Sequence, residues 1–338
     1  MARQTNILIL VLVLQLALAI GLMFTGTDSG AFVTKEKLLA LKLDNIEKIT
    51  IEQKGSPALV MHKSGNEWLL PDYFDFPVAK DKLDSVTDKL FDTSVSWPVA
   101  TTQAAAKRFK VAEDEFEKKL VISTQGGKSH TVYLGTSPGF KKIHARLGDN
   151  DNIYAIKFSA YELGEKPIDW ADQSYLHVDS AELSKIELPN LELIRDGDGF
   201  AVKGLADNEQ TNASQVRSLV SRLSNLSFLE VLGKTDKPEY RQTEPTSVYT
   251  FVTKDSKRVS YTVSKLADQD DFVLKASNAA YYFKLAKNVI EGLNGFKRAN
   301  LVKIKTKEAQ DGTVVPLADE SSAESKSTKP IAPATTQP

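Results

Sequence analysis

Cysteine is absent from this 338-residue chain. Its absence excludes disulfide bridges, thiolate catalysis and zinc sites with cysteine ligands. An excess of one charge is absent too, because 43 Lys and Arg residues balance 44 Asp and Glu residues for a formal net charge of −1. The composition therefore gives no sign of a basic surface that binds nucleic acid, and we expect no nucleic-acid partner.

Signatures of catalysis and metal binding are also scarce. The histidines are His62, His130, His144 and His177, and no two of them have the i, i+4 or H-x-H spacing that places two ligands on one metal. They are interpreted as ordinary strand or surface histidines. No G-x-S-x-G elbow occurs, so a serine nucleophile has no local support. We expect no catalytic residue, no metal and no cofactor, and we interpret the protein as non-enzymatic.

One long apolar run is present near the N-terminus. Between Ile7 and Phe24 there is no charge, and Gln15 is the one strongly polar side chain. A helix of this length spans about 27 Å, close to the hydrocarbon thickness of a bilayer. With Arg3 on the short N-terminal side, we expect a single-pass anchor in the cytoplasmic (inner) membrane, with the N-terminus in the cytoplasm and the body in the periplasm.

Two other interpretations of this run remain open. Ile7–Leu18 could be the apolar region of a cleaved signal peptide, with Ala17-Leu18-Ala19 as its cleavage site. The apolar run continues past that point to Phe24, which favours the anchor. A buried helix of the globular body is the third interpretation, and the lack of a polar face disfavours it. The anchor and the signal peptide both place the body outside the cytoplasmic membrane.

The body of the chain repeats one pattern at an offset of about 130 positions. In each copy a short apolar strand pattern is followed by apolar residues three and four apart, which predicts an amphipathic helix. Alternating apolar runs joined by tight turns surround it and predict antiparallel strands. The matched helix positions are Leu83, Val86 and Leu90 in the first copy and Val216, Leu219 and Leu223 in the second.

The predicted fold class is α+β, with two tandem repeats of a mostly antiparallel sheet with a packed helix, behind one N-terminal transmembrane helix. From Thr306 onward the chain is rich in Ser, Thr, Pro, Lys and Glu, which predicts disorder. The predicted divisions are a cytoplasmic N-terminus (1–6), a transmembrane anchor (7–24), a spacer (25–42), repeat unit 1 (43–176), repeat unit 2 (177–305) and a disordered tail (306–338).

One loop differs between the two copies. Pro71–Pro77 carries Tyr73, Phe74 and Phe76 between two prolines, whereas Lys203–Thr211 at the same place has no aromatic residue. We predict that the three rings form a partner-contact loop peculiar to the first repeat. The alternative is that they cover the seam between helix and sheet of their own repeat.

Together these features resemble a known family. The chain is similar to the bacterial domain-of-unknown-function family 4340, whose members often accompany gliding-motility-type ABC transporter components. The resemblance implies an envelope location and a transporter-associated, non-enzymatic role, with no catalytic residue to carry over. The segments that carry it are Trp68-Leu69-Leu70-Pro71, Val78-Ala79, Arg108-Phe109-Lys110-Val111, Leu134-Gly135 and Ile153-Tyr154-Ala155-Ile156.

Three functions follow as hypotheses. The first is a membrane-anchored accessory or scaffold component of an ABC-type transporter complex, with a permease or auxiliary subunit as partner. The second is an extracytoplasmic binding module for a cell-wall polymer or polysaccharide. The third is an envelope hydrolase, which needs two convergent carboxylates that have no fixed spacing in sequence.

Overall fold

A computed structural model describes residues 35–305, together with the single positions Leu12 and Gln15. The predicted anchor (7–24) and the predicted tail (306–338) lie outside the continuous described range. Within the part of the chain that the structure describes, no helix is both long enough and apolar enough to cross a membrane.

The first half of the described chain contains ten strands and two α-helices. They are β1 (Glu36–Lys37), β2 (Ile46–Gln53), β3 (Leu59–Ser64), β4 (Glu67–Leu70), β5 (Phe76–Pro77), α1 (Lys80–Phe91), β6 (Ser94–Val95), α2 (Gln103–Arg108), β7 (Lys118–Thr124), β8 (Ser129–Leu134), β9 (Ile143–Leu147) and β10 (Ile153–Ile156).

The second half contains ten further strands and three α-helices. They are β11 (Leu183–Leu188), β12 (Leu191–Asp196), β13 (Gly199–Val202), β14 (Glu209–Thr211), α3 (Ala213–Ser224), β15 (Glu230–Gly233), β16 (Ser247–Thr253), β17 (Arg258–Lys265), β18 (Phe272–Ala276), β19 (Tyr282–Leu285), α4 (Lys287–Asn294), α5 (Arg298–Leu301) and β20 (Val302–Ile304).

The strands form two eight-stranded sheets and two small ones. The first large sheet has the order β10-β9-β8-β7-β2-β3-β4-β5, and the second has the order β13-β12-β11-β16-β17-β18-β19-β15. In addition, β1 pairs with β6, and β14 with β20. The strand pairs of the described residues are antiparallel throughout. The predicted α+β class with antiparallel sheets is confirmed.

Seven of the eight strands follow the same order in both large sheets. Counted from the edge, β4-β3-β2-β7-β8-β9-β10 corresponds to β13-β12-β11-β16-β17-β18-β19. In the chain, α1 comes after β4 and α3 comes after β13, which are corresponding strands of the two sheets, each with one short strand in between. The eighth strand differs, because β5 lies beside β4 in the first sheet, whereas β15 lies beside β19 in the second.

Apolar periodicity explains how each helix packs. In α1 the side chains of Leu83, Val86 and Leu90 are buried, and in α3 the positions at the same spacing are buried as well. Each such side chain contributes about 1.5–3 kcal/mol when it leaves water. The α1 face lies over Ile49 and Met61 of the first sheet, with which it lines one small apolar space. Burial of this face, more than helix propensity, fixes both helices.

The start of α3 differs from the predicted pattern. Asn212, three residues before Gln215, predicts a capping box with reciprocal side-chain hydrogen bonds. Asn212 is the residue that precedes the helix, but its side chain caps no helical N–H. Its amide donates instead to the Asn300 carbonyl, and its oxygen accepts from the Ser214 hydroxyl. The side chain therefore ties α3 to α5, a tertiary contact that the local pattern does not reveal.

A single cluster of buried apolar side chains extends through both sheets. It begins at Leu38, ends at Leu301 and includes residues from every strand of the two large sheets. Two smaller clusters lie beside it, one around Val111 and Ile153 and the other around Tyr240. The two sheets are therefore joined by packed side chains rather than by a bare linker.

Candidate functional site

The predicted partner-contact loop connects β4 to α1 through an uncommon backbone conformation. Pro71–Tyr73 form a 3₁₀ turn, and Phe74 and Asp75 both follow in the left-handed region, with φ of 64° and 55°. A bulky residue such as phenylalanine rarely adopts this conformation, which costs about 1–3 kcal/mol. Two such residues in succession indicate that tertiary contacts hold the loop in place.

Phe76 lies at the centre of an aromatic cluster that joins the two sheets. Its side chain is 0% exposed, and its ring centroid lies 4.9 Å from those of Tyr175 and Tyr281. Phe228 and Phe283 are next, at 5.6 and 6.0 Å. We call these five residues the junction cluster. Aromatic pairs at such separations add about 0.5–1.5 kcal/mol each beyond the area that they bury, so the cluster holds the loop firmly against the second sheet.

Two hydroxyl groups add hydrogen bonds across this junction. The Val231 N–H donates to the Tyr73 hydroxyl oxygen at 2.7 Å, and the Tyr281 hydroxyl donates to the Asp75 carbonyl at 3.0 Å. Val231 belongs to β15, whose other side pairs with β19, so Tyr73 satisfies an amide on the open side of an edge strand. Burial, joined by the nearby charge of Glu230, raises the pKa of Tyr73 against the opposing hydrogen bond from Val231, and its hydroxyl stays neutral.

Phe74 packs on a glycine of the same edge strand. Gly233 has a φ of +104°, and a Cβ at this position would lie 3.1 Å from the Phe74 ring. Glycine here serves both the left-handed backbone and the close approach of the ring. Nearby, Lys234 Nζ and an Asp75 carboxylate oxygen lie 3.9 Å apart at exposed positions, where an ion pair contributes little.

The three rings of the predicted partner-contact loop thus have different surroundings. Phe76 is buried inside this chain and is not accessible to a separate protein. Tyr73 is half-buried, and its hydroxyl oxygen already accepts from Val231. Phe74, at 44% exposure, keeps the largest accessible area of the three. The Phe76 ring packs on Tyr175, which precedes the second sheet in the chain, and on Phe228, Tyr281 and Phe283 farther along. Both the partner-contact loop and the cover over the loop's own seam stay predictions.

A groove of about 1140 Å³ opens at one end of the first sheet, where β8 and β10 end and β9 begins. Phe140 and Tyr161 line it and are 88% and 97% exposed. Lys141, Lys142 and Lys157 line it as well. Exposed aromatic rings grouped in this way are typical of surfaces that bind another molecule. We call this feature the lysine-aromatic groove.

The electrostatic balance of the groove is positive. Its two carboxylates, Glu117 and Glu162, pair with Lys110 and Lys89, respectively. These pairs neutralise the carboxylates, so the lysines of the groove set its charge. An anionic or sugar-bearing ligand fits such a lining better than a cation does.

Phe140 is presented on a clamped turn. The Lys142 N–H donates to the Gly139 carbonyl, and the Ser137 hydroxyl oxygen lies 2.8 Å from the carbonyl oxygens of both residues. Lys141 has a φ of 53°, which completes the tight reversal. The exposed ring therefore stands on an ordered turn, and binding a ligand there would require little ordering of the backbone.

The base of this turn packs on two segments that carry the family resemblance. A Cβ on Gly135 would overlap the carbonyl oxygens of Phe109 and Lys110, so no other residue fits there without a backbone shift. The His144 ring stacks on Phe109 with centroids 4.0 Å apart, and its Nδ1 lies 2.8 Å from the Thr136 carbonyl. Burial lowers the pKa of His144 and outweighs that hydrogen bond, which raises it. The neutral ring is therefore favoured, and its role is to pack against Phe109.

The other histidines occupy ordinary structural positions. His62 lies in β3, and His130 lies in β8. His177 Nδ1 is 3.0 Å from the Asn225 side-chain oxygen, beside the bridge between these two residues. Within residues 35–305, no three His, Asp or Glu side chains converge closely enough to hold a metal ion.

A comparison with protein families gives one match. The family described as Domain of unknown function (DUF4340) matches residues 68–245, which is more than half of the chain. The chain belongs to the DUF4340 family. The matched range of this DUF4340 protein contains the Tyr73–Phe76 loop, its acceptor strand β15, and the contact between Gly135 and Phe109. No curated protein matches the chain, and no solved structure does.

The contacts of the junction explain which residues sequence reasoning missed. Tyr175, Phe228, Tyr281 and Phe283 are as important to the loop as its own rings, yet they lie in separate segments of the chain. The one sequence feature that could have identified them is the run of three aromatic residues Tyr281-Tyr282-Phe283. Periodicity identifies such residues as buried, but it does not say which segment covers them.

Proposed function

We propose that this DUF4340 protein is a non-enzymatic, membrane-anchored envelope protein that serves as a scaffold or accessory component of an ABC-type transporter complex. The observation that carries the proposal is the hydrophobic core that continues from Leu38 to Leu301 through both sheets. Packed interiors resist relative motion of their parts. A body of this kind can hold partners at fixed positions, which is what a scaffold requires.

In this proposal the two large sheets are tandem repeats of one unit, residues 43–176 and 177–305. The common order of seven strands supports this, as does the helix that follows the same strand in each set. Two units of the same architecture give the body twice the lateral surface of one unit. The surfaces that differ between the copies are then available for different partners.

The proposed location is the cytoplasmic membrane, with residues 7–24 as anchor and the body in the periplasm. The apolar run from Ile7 to Phe24 supports it. A tether of this type confines the body to a thin layer beside the membrane, which raises its effective concentration toward a permease or auxiliary subunit. Weak contacts are sufficient for assembly under that condition.

The proposal is tested by purification of the full chain from membranes in mild detergent after brief crosslinking. We expect a permease or ATPase subunit to be recovered with it in fixed ratio. A control chain that lacks residues 7–24 but carries a cleavable export signal should lose most of the complex, because the tether is gone. Recovery of a monomer alone, under conditions in which a known membrane complex stays intact, would show that the protein is not a scaffold of this type.

The lysine-aromatic groove favours a second candidate function, that of a binding module for an anionic cell-wall polymer or polysaccharide. Phe140 and Tyr161 offer exposed rings on which sugars can stack, and the lysines supply positive charge. Sedimentation of the protein with purified cell-wall polymer tests this function. The control is Trp97→Ser, which removes a 77% exposed ring that does not line the groove. Binding that is lost in Phe140→Ser/Tyr161→Ser but kept in the control would support this function, and equal binding by the two variants would oppose it.

A further inference from the structure

The two sheets carry the same kind of edge, and within residues 35–305 only the edge of the second sheet is covered by other side chains. In the second sheet, β15 lies along the last strand β19, and the loop from Tyr73 to Phe76 packs on it. In the first sheet, a short segment occupies the equivalent place along the last strand β10. Val99 donates to the Ile153 carbonyl at 2.7 Å, and Ile153 donates to the Ala100 carbonyl at 2.9 Å. Both segments follow the packed helix of their sheet.

The first-sheet segment exposes its apolar side chains. Trp97 is 77% exposed and Val99 is 52% exposed, and Pro98 lies between them. In residues 35–305 no hydrogen bond engages the Trp97 indole and no other aromatic ring stacks on it. Exposed tryptophan of this extent is typical of contact surfaces. We call these three residues the Trp97 edge.

The Trp97 edge is held at both ends. On one side Val95 pairs with Glu36 in the sheet of β1 and β6, and on the other side Ala100 bridges to Ile153. The segment is therefore ordered before anything binds, and docking on it loses little conformational entropy. Trp97 also lies two residues after β6, the strand whose Val95 pairs with Glu36 of β1. Residues 7–24 precede β1 in the chain.

We propose that the Trp97 edge is a docking site for a loop of a partner protein that carries aromatic side chains. The proposal rests on the scaffold function proposed above and identifies the surface by which a partner binds. The second sheet shows what covers such an edge, namely a loop that brings Phe76 and Phe74 for packing and a Tyr73 hydroxyl for an edge amide. The partner supplies the same chemistry.

A second copy of this chain does not supply that loop. Its own Tyr73–Phe76 segment is packed in its own junction, with Phe76 0% exposed. Release of the loop would open the core of the donor copy and separate its rings, at a cost of about 1 kcal/mol for each aromatic pair. The donor is therefore a different protein.

A first experiment uses a synthetic peptide with the sequence of residues 70–78 as the probe. Trp68 and Trp170 are 8% and 1% exposed, so iodide quenching of fluorescence in the intact chain reports on Trp97. We expect the peptide to abolish this quenching, and a peptide with serine in place of its three aromatic residues to leave it unchanged. Quenching that persists at the highest soluble peptide concentration, or equal protection by both peptides, would overturn the proposed chemistry.

A second experiment places a photo-crosslinking amino acid at position 97 of the full chain in native membranes. Position 161, where Tyr161 is 97% exposed on the lysine-aromatic groove, is the matched control. We expect a product with an identified permease or auxiliary subunit from position 97 and none from position 161. Products with lipid alone from position 97 would show that the edge faces the bilayer, and would overturn the proposal.

Recovery of the same transporter complex distinguishes a failure of the docking site from a failure of the scaffold function. In Trp97→Ser/Val99→Ser we expect the recovered transporter subunit to fall by about tenfold or more, since central aromatic contacts dominate interfaces. An undiminished complex in this variant would refute the docking site and leave the scaffold function standing. A complex that is absent even with the unchanged chain would refute the scaffold function itself.

Discussion

The segment that precedes the packed helix has different partners in the two large sheets. In the first it is the loop that ends in β5, and its rings cross to the second sheet. In the second it is β14, which pairs with β20 close to the end of the described chain. Strand order and the helix face are shared, so the difference lies in the connecting segments. Folding constrains what the two sheets share, and each connection is free to acquire its own contact.

The two large sheets also differ in how their last strands, β10 and β19, are covered within the described residues. At β19 the neighbouring strand β15 is four residues long and lies under the aromatic loop. At β10 the neighbour is a single bridge, and Trp97 beside it is exposed. The same position thus makes an internal contact beside the second sheet, whereas beside the first sheet it is exposed within residues 35–305.

The largest expected effect comes from Phe76→Ala, which empties the centre of the junction cluster and so removes aromatic contacts between the two large sheets. We expect the free energy of unfolding to fall by about 3–5 kcal/mol, since a fully buried phenylalanine is removed. Denaturant titration measures the change. Phe140→Ala is the matched control, because its ring is 88% exposed, and it should stay within about 0.5 kcal/mol. Similar losses for both variants would contradict the assigned role of the junction.

Gly135→Ala tests the packing at the base of the Phe140 turn of the first sheet. A Cβ there meets the carbonyl oxygens of Phe109 and Lys110, so we expect a loss of stability of about 1–3 kcal/mol and displacement of the turn. Gly126→Ala is the control, because a Cβ at that position meets nothing within 4 Å. Thermal melting of both variants gives the result, and an unchanged Gly135→Ala melting temperature would show that the contact is easily relieved.

Tyr73→Phe removes a single hydroxyl from the junction and keeps the ring. The Val231 N–H then loses its acceptor, and we expect a cost of about 1 kcal/mol with faster hydrogen exchange at that amide. Tyr161→Phe, at a 97% exposed ring, should change neither quantity. Exchange at Val231 that is as slow as before would mean that the edge strand is protected by other contacts.

The smallest expected effect is on acid sensitivity and concerns a carboxylate of the second sheet. Arg258 and Lys185 hydrogen-bond to Glu187 and lower its pKa to about 2 from 4.5. Because the folded pKa lies below the unfolded one, these contacts stabilise the fold above about pH 4.5, and the contribution is lost as the pH falls toward 2. NMR titration of Arg258→Gln should show the Glu187 pKa returning upward. An unmoved pKa would exclude the Arg258 contact as its main cause.

Much of the fold follows from local patterns in the sequence. The apolar spacing of Leu83, Val86 and Leu90 predicts α1 over the residues that it occupies, and alternation predicts β2 and β18 within their observed bounds. These elements bury one face each, so periodicity alone determines them. Family membership was likewise apparent from short structural segments such as Leu134-Gly135, and the matched residues confirm it.

The junction could not be predicted in the same way. Its contacts join residues that local patterns treat separately, because the edge of a sheet is a property of the assembled topology. Tyr73 and Phe76 lie in an aromatic-rich loop between prolines, and the sequence left open whether that loop contacts an external partner or covers an internal seam. Only the position of β15 at the open edge beside β19 decides where the rings pack. Trp97 was missed for the same reason. Its exposure depends on whether another segment covers the edge of the first sheet, which local sequence patterns do not show.

The junction also orders the events of biogenesis. Tyr73 bonds to a residue 158 positions later, and Asp75 to one 206 positions later. At about 5–20 residues per second of synthesis, the aromatic loop waits roughly ten to forty seconds for its partners. Throughout that interval the rings of the loop lack the aromatic side chains that later bury them, and the junction closes only when β19 has been synthesised.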